Sequence, residues 1–163
     1  YPILADRIEL NAIIVDAAGP GPVEVWYEGD TVVRGVGVPH GDVPTIAYRI
    51  DVNDSSIVFA SDQTRSDPTF RDFIAEVDVL VVHMSSTEDA TGVIADLHAK
   101  PSVWGQMAEA AGVGHVVISH LSSSSRANEP FSSQVLSASV AILRDNYSGP
   151  VTVGDDLLCI EVK

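Results

Sequence analysis

The sequence predicts one layered α/β domain, or half of one. Apolar runs separated by turns fill the first 60 residues, which is typical of an antiparallel meander. After residue 62, short apolar strands alternate with helical periodicity, which favours parallel strands joined by helices. No repeat or low-complexity linker interrupts the 163 residues, so residues 1–163 are interpreted as a single domain.

The N-terminal third is interpreted as strands. Residues 8–15 form a nearly unbroken apolar run, and residues 36–44 form an irregular connection. Gly29 and Asn53-Asp54 mark turns between apolar runs, and each turn predicts a hairpin. The two predicted hairpins pair residues 23–27 with 31–34 and residues 45–52 with 56–60.

The remaining residues predict alternating helices and strands. Pro68 suits the first turn of a helix, and Gly112 suits a helix end. Trp104 and Met107 lie about one helical turn apart and are interpreted as core. The predicted helices cover residues 67–77, 86–97, 102–111 and 132–147, and the predicted strands cover 78–83, 116–119, 151–153 and 157–162.

Three predicted strands end in polar side chains that bind metals well. Asp62, His83 and His120 each follow an apolar run. Strand ends of α/β sheets converge on ligand sites, and imidazole and carboxylate are ligands of Zn²⁺. Each residue also has a structural interpretation when taken alone: Asp62 as a helix cap, and the histidines as hydrogen-bonded core or loop residues. His115 is interpreted as structural.

The composition disfavours a polynucleotide substrate. The chain has 9 Lys and Arg against 23 Asp and Glu, a formal net charge of −14. Nucleic-acid affinity comes largely from basic side chains, so a small-molecule substrate is expected. No apolar run reaches the ~20 residues of a membrane span. The single Cys159 leaves the compartment open between cytoplasm and periplasm.

The order of several motifs resembles the metallo-β-lactamase superfamily, with the ribonuclease Z-like hydrolases as the most similar branch. The motifs are VPHGDVPTIAYRI, IVFASDQT, VDVLVVHM, LHAKPSVWGQMAEAAGV, HVVISHLS and GPVTVGDDLLCIEV. The resemblance covers nearly the whole chain. It implies the C-terminal half of a four-layer αββα sandwich.

The resemblance also implies roles for individual residues. Asp62 matches the aspartate that bridges two divalent ions, most often Zn²⁺, and His120 matches the last metal-ligand histidine. His98 matches a histidine that assists the leaving group. His83 replaces the glutamate that pairs with that histidine in the family, so it is assigned to orienting His98 or lining the pocket. His40 matches a loop histidine of the family, whereas Ser122 belongs to the small polar residues that follow His120, and both are expected to contact the substrate.

Besides the replacement at His83, two further departures from the family pattern matter. Ser61 stands where glycine is usual. The HxHxDH motif and the next ligand histidine are absent from the sequence. A catalytic zinc ion needs about three protein ligands, and Asp62 and His120 supply two side chains for a pair of ions. An N-terminal half of the same protein is therefore expected to supply the other ligands and to cover the inner face of the sheet.

The expected function is hydrolysis of a small ester or phosphodiester by metal-activated water. Ribonuclease Z-like members that process tRNA use a basic, Gly/Pro-rich arm before the aspartate motif. Residues 1–61 contain no basic cluster, so the resemblance disfavours processing of tRNA. Two alternatives remain open: a catalytically degenerate domain that serves as a binding or assembly module, and a di-iron version of the fold. The sequence also leaves homo-oligomerisation open.

Overall fold

The computed structural model describes residues 12–64, 67–121 and 132–162. Within these ranges a seven-stranded sheet follows chain order: β1 (Val23–Glu28), β2 (Thr31–Val38), β3 (Thr45–Val52), β4 (Ser55–Phe59), β5 (Val79–His83), β6 (His115–Ser119) and β7 (Val151–Val153). The same ranges contain four helices: α1 (Pro68–Phe73), α2 (Val93–Leu97), α3 (Pro101–Ala111) and α4 (Ser133–Asp145). None of these helices is long and apolar enough to cross a bilayer.

Strands β1 to β4 form the antiparallel half of the sheet, and both predicted hairpins are confirmed. Gly29 has φ = 56° and Asn53 has φ = 52°, values that glycine and asparagine tolerate better than most residues. The turns therefore use the residue types that the sequence marked. Because both turns are tight, β1 pairs directly with β2 and β3 pairs directly with β4.

Strands β4 to β7 are parallel and also follow chain order. A crossover between parallel strands is almost always right-handed. When successive crossovers step in one direction across a sheet, this rule places every connecting helix on the same face. Strand order thus explains a single helix layer. Asp67 starts that layer by accepting hydrogen bonds from the amides of Thr69 and Phe70.

The core lies between the helix layer and one face of the sheet. Alternate residues of the parallel strands point into it, as the pleat requires. Its fully buried side chains include Val58, Leu80 and Val116 from the sheet and Phe70, Trp104 and Leu143 from the helices. The predicted core positions Trp104 and Met107 are confirmed, at 0% and 2% exposure.

The opposite face of the sheet is apolar and only partly covered. The strand register puts Tyr48, Phe59 and Val81 in one row on this face. Tyr48 and Phe59 remain 39% and 40% exposed. Residues 12–18 cross part of the face, with the Ala17 carbonyl so close to Gly37 that a side chain there would clash. One helix layer and one sheet layer correspond to half of an αββα sandwich.

Two predicted helices are too long. The helix predicted over 67–77 ends at Phe73 because Glu76 has φ = 53°, which a right-handed helix cannot include. Of the helix predicted over 86–97, only α2 forms. It begins directly after Gly92, whose φ of 63° is incompatible with a right-handed helix that continues from the preceding residues.

Three predictions about strands also differ from the structure. The apolar run 157–162 forms no strand, and Leu157 has φ = 64° and is 98% exposed. Residues 12–15, the described part of the first apolar run, are irregular. Residues 36–38, predicted as a connection, extend β2, because they pair with β3.

Candidate functional site

The polar strand ends meet at one edge of the sheet. Asp62 follows β4, His83 ends β5, and His120 follows β6. Because these three strands are parallel neighbours, their carboxyl ends lie side by side. His98 joins them from the segment between α2 and α3. We call these four residues the histidine cluster.

Asp62 lies at the centre of the histidine cluster. Its Oδ1 is 3.1 Å from His83 Nδ1 and 3.4 Å from His98 Nδ1. Its Oδ2 is 3.7 Å from His120 Nε2. The ring of His120 lies 5.2 Å from that of His83 and 6.3 Å from that of His98, between centroids. One carboxylate therefore contacts three imidazoles that come from separate parts of the chain.

The cluster favours an ionised Asp62. Burial raises the pKa of this carboxyl, but contacts with the imidazoles of His83, His98 and His120 lower it by more, and the pKa lies well below its usual range. An ionised carboxylate can only accept hydrogen bonds, so His83 donates through Nδ1–H. This bond fixes the His83 ring and leaves its Nε2 directed elsewhere.

The turn that carries Asp62 is bonded to two neighbouring loops. The Thr64 amide donates to the Pro39 carbonyl at 2.9 Å, and the Ala99 amide donates to the Gln63 carbonyl at 2.6 Å. The Gln63 side chain, 1% exposed, donates to the Ala60 carbonyl at 2.8 Å. Sequence reasoning missed Gln63. A glutamine within a polar SDQT segment after a buried strand was the available signal.

His40 borders the cluster without contacting Asp62 in any hydrogen bond among the described residues. Its Nδ1 lies 2.7 Å from the Leu97 carbonyl, and its ring packs edge-on against His98 at 5.2 Å between centroids. His115 bonds to Thr152 in the neighbouring strand and is separate from the cluster. Ser122, the other expected substrate contact, lies outside the described residues.

Buried groups hold the backbone behind the cluster. The Trp104 indole N–H donates to the His83 carbonyl at 3.1 Å. The Ser85 hydroxyl donates to the His120 carbonyl at 3.0 Å. Trp104 is fully buried and Ser85 is 2% exposed, so both donors lie inside the protein. Both bonds fix the strand ends that carry the imidazoles.

The cluster fits part of a metal site. With bonds of about 2.0–2.2 Å, two donors on one tetrahedral zinc ion lie roughly 3.3–3.6 Å apart, close to the 3.7 Å between Asp62 Oδ2 and His120 Nε2. His98 Nδ1 is buried, and its 3.4 Å contact with Asp62 Oδ1 does not have the geometry of a hydrogen bond. No group of three or more His, Cys, Asp or Glu side chains in the described ranges is arranged to hold a metal ion. The donors suit a metal but are too few for a catalytic pair.

Ser61 lies in a backbone conformation that favours glycine. Its φ is 57°, in the left-handed region, and its hydroxyl donates to the Ile46 carbonyl at 2.7 Å. A side chain in this region costs about 1–2 kcal/mol, and the hydrogen bond offsets about 0.5–1.5 kcal/mol of it. Serine is therefore tolerated at this strained position next to Asp62.

We expect Ser61→Ala to lower the free energy of unfolding by about 1 kcal/mol, because it loses the hydrogen bond and keeps the strain. Ser61→Gly loses the same bond but relieves the strain, so its stability should stay near that of the parent. Urea denaturation of both variants measures the difference. Equal destabilisation by the two substitutions would contradict this explanation.

No protein-family model and no curated protein sequence matches the chain. Solved structures do match. YhfI from Bacillus subtilis, a metallo-β-lactamase fold protein, is 22% identical with a TM-score of 0.66, over 80% of this chain and 49% of that one. Human tRNase Z, short form, is 14% identical with a TM-score of 0.65, over 88% and 46%. CmlA, a diiron β-hydroxylase from Streptomyces venezuelae, is 14% identical with a TM-score of 0.55, over 78% and 31%.

These likenesses concern the fold, since sequence identity is low. The chain spans about half the length of YhfI and of tRNase Z, and about a third of CmlA. The predicted α/β class is confirmed, and the chain has the metallo-β-lactamase fold.

Proposed function

We propose that the protein is a metal-dependent hydrolase that acts on a small ester or phosphodiester. The observation that carries the proposal is the contact of one ionised carboxylate, Asp62, with three imidazoles at the carboxyl edge of the sheet. Clustered titratable groups with a shifted pKa are typical of functional sites.

Asp62 and His120 are the side chains that would hold metal. Divalent ions, most often zinc in this fold, would supply an activated water and polarise the scissile bond. His98 would stabilise charge on the leaving group or donate a proton to it. His83, whose ring is held by Asp62 through Nδ1, would orient His98 or line the pocket.

The remaining ligands are proposed to come from a further part of the same protein, N-terminal to these residues in sequence. His83 has the same strand parity as Val81, so it points toward the partly covered sheet face. A second half that packs on Tyr48 and Phe59 would bury that apolar face and bring its own ligands to Asp62. This arrangement treats residues 1–163 as one part of a larger domain.

A small substrate of low negative charge is favoured. A cavity of about 690 Å³ lies beside His40, lined by residues 14–19 and 37–45. Its lining includes Asp16 and Asp42 and contains no Lys or Arg. Together with the net charge of −14, these carboxylates repel polyanions, which favours a small neutral ester or a single phosphodiester over nucleic acid.

The test is metal content and hydrolysis in the full-length protein, purified without chelator. We expect stoichiometric divalent metal and turnover of p-nitrophenyl acetate or bis(p-nitrophenyl) phosphate. His120→Asn should lose metal and activity, because asparagine tolerates the φ of 51° at this position but lacks the imidazole. The matched control is His115→Asn, which removes a histidine bonded to Thr152 outside the cluster.

Two results would overturn the proposal. Full-length protein without stoichiometric metal would favour the binding or assembly module instead. Unchanged metal content in His120→Asn would show that the ligand assignment is wrong.

A further inference from the structure

We infer that Gln63 is a positioning residue that sets the spacing between Asp62 and His98; as a role in hydrolysis, this rests on the proposed function. Gln63 follows Asp62 directly in the chain. Its carbonyl accepts from the amide of Ala99, the residue after His98, at 2.6 Å. A single residue thus connects the two backbones that carry a potential ligand and a potential acid.

The Gln63 side chain fixes the orientation of that connection. It is 1% exposed, and its Nε2 donates to the Ala60 carbonyl at 2.8 Å. This bond joins residues 60 and 63 across the turn that carries Asp62. Because the side chain is anchored to the strand end, the Gln63 carbonyl is held toward Ala99.

The polar Gln63 side chain has a cost that packing alone does not explain. Gln63 Oε1 is buried and has no hydrogen-bond partner in the described structure. A buried polar atom without a partner destabilises the fold, whereas methionine would fill a similar volume without a polar atom. A residue kept only for core packing would have no need of the amide. The geometry points to a role in placing the Asp62 turn.

The neighbouring contacts extend the same connection. The Thr64 amide bonds to the Pro39 carbonyl, and His40 bonds to the Leu97 carbonyl. The segments around residues 39–40, 62–64 and 97–99 are therefore linked in a ring of hydrogen bonds. Within this ring, the Gln63 side chain is anchored to the Ala60 carbonyl, directly after β4.

The test compares Gln63→Met with Gln106→Met in the full-length protein. Gln106 is an exposed glutamine of α3 that donates to Asn146, so its substitution is a matched control. The first readout is the set of histidine ring ¹⁵N resonances in metal-free protein, assigned with single His→Asn variants. We expect Gln63→Met to shift the His98 resonances while His115 stays unchanged, with the thermal midpoint near that of the parent.

The second readout is kinetic. With a hydrolysed substrate, Gln63→Met should lower kcat/KM by about 10- to 100-fold, as loss of a group that orients a ligand typically does. Gln106→Met should leave the His98 resonances and kcat/KM unchanged. A lower thermal midpoint with unchanged His98 resonances would reduce Gln63 to a core residue and overturn the inference.

The two proposals can fail separately. The ring resonances are read without metal or substrate, so a shift of His98 supports positioning even where no hydrolysis is found. Metal binding and hydrolysis with unmoved His98 resonances in Gln63→Met would leave the proposed function standing and remove the role of Gln63.

Discussion

Substitution Asp62→Asn is expected to abolish metal binding and hydrolysis in the full-length protein. The carboxylate contacts His83, His98 and His120 at 3.1, 3.4 and 3.7 Å. Asparagine has nearly the same shape but no charge, so it would attract neither a cation nor the imidazolium forms of its neighbours. Loss of a residue that only hydrogen-bonds to a metal ligand lowers metal affinity or activity by about 10- to 100-fold. Because Asp62 is proposed to bind the metal itself, we expect the rate of hydrolysis to fall by more than about 100-fold.

The measurement is metal content by mass spectrometry together with ester hydrolysis. Asp54→Asn is the control, because Asp54 is exposed in the β3–β4 turn at the opposite end of β4. It should bind metal and hydrolyse ester like the parent. Retention of full metal content in Asp62→Asn would exclude Asp62 as a ligand.

Truncation of Trp104 is expected to have the largest effect on stability. The side chain is fully buried between helices and sheet, and its indole donates to the His83 carbonyl. Trp104→Ala should lower the free energy of unfolding by about 3–5 kcal/mol through lost burial and the cavity left behind. Trp104→Phe keeps most of the volume, so it isolates the loss of the hydrogen bond.

Chemical denaturation measures the stability, and the His83 ring resonances report the local effect. We expect Trp104→Phe to move the His83 resonances while it costs much less stability than Trp104→Ala. Trp26 provides the matched control, since it is 45% exposed in β1, and Trp26→Ala should cost well under half as much as Trp104→Ala. An equal cost at both tryptophans would contradict the described core.

The elements that the sequence predicted well are those with local signals. Gly29 and Asn53 occupy turns with positive φ, and Gly112, at φ = 66°, ends α3. The errors occur where tertiary structure decides. Leu157 begins an apolar run suited to a strand, yet no strand of the described sheet pairs with it, and its backbone turns instead. Glu76 has no sequence feature that marks its positive φ.

The candidate site divides in the same way. Asp62, His83 and His120 could be singled out because each follows an apolar strand, and the parallel order then places them together. His98 lies between helices and follows no strand, so only the family resemblance could place it in the site. The links from Gln63 to Ala99 and from Trp104 to His83 span 36 and 21 residues, and no local pattern encodes such contacts.

The agreement of strand order with chain order has a consequence for synthesis on the ribosome. Each strand pairs with the strand made just before it, so the described sheet can grow at one edge as the chain emerges. No later strand has to insert between two that are already paired. Since Asp62, His83 and His120 follow or end β4, β5 and β6 in turn, these three members of the histidine cluster can be brought together one strand at a time.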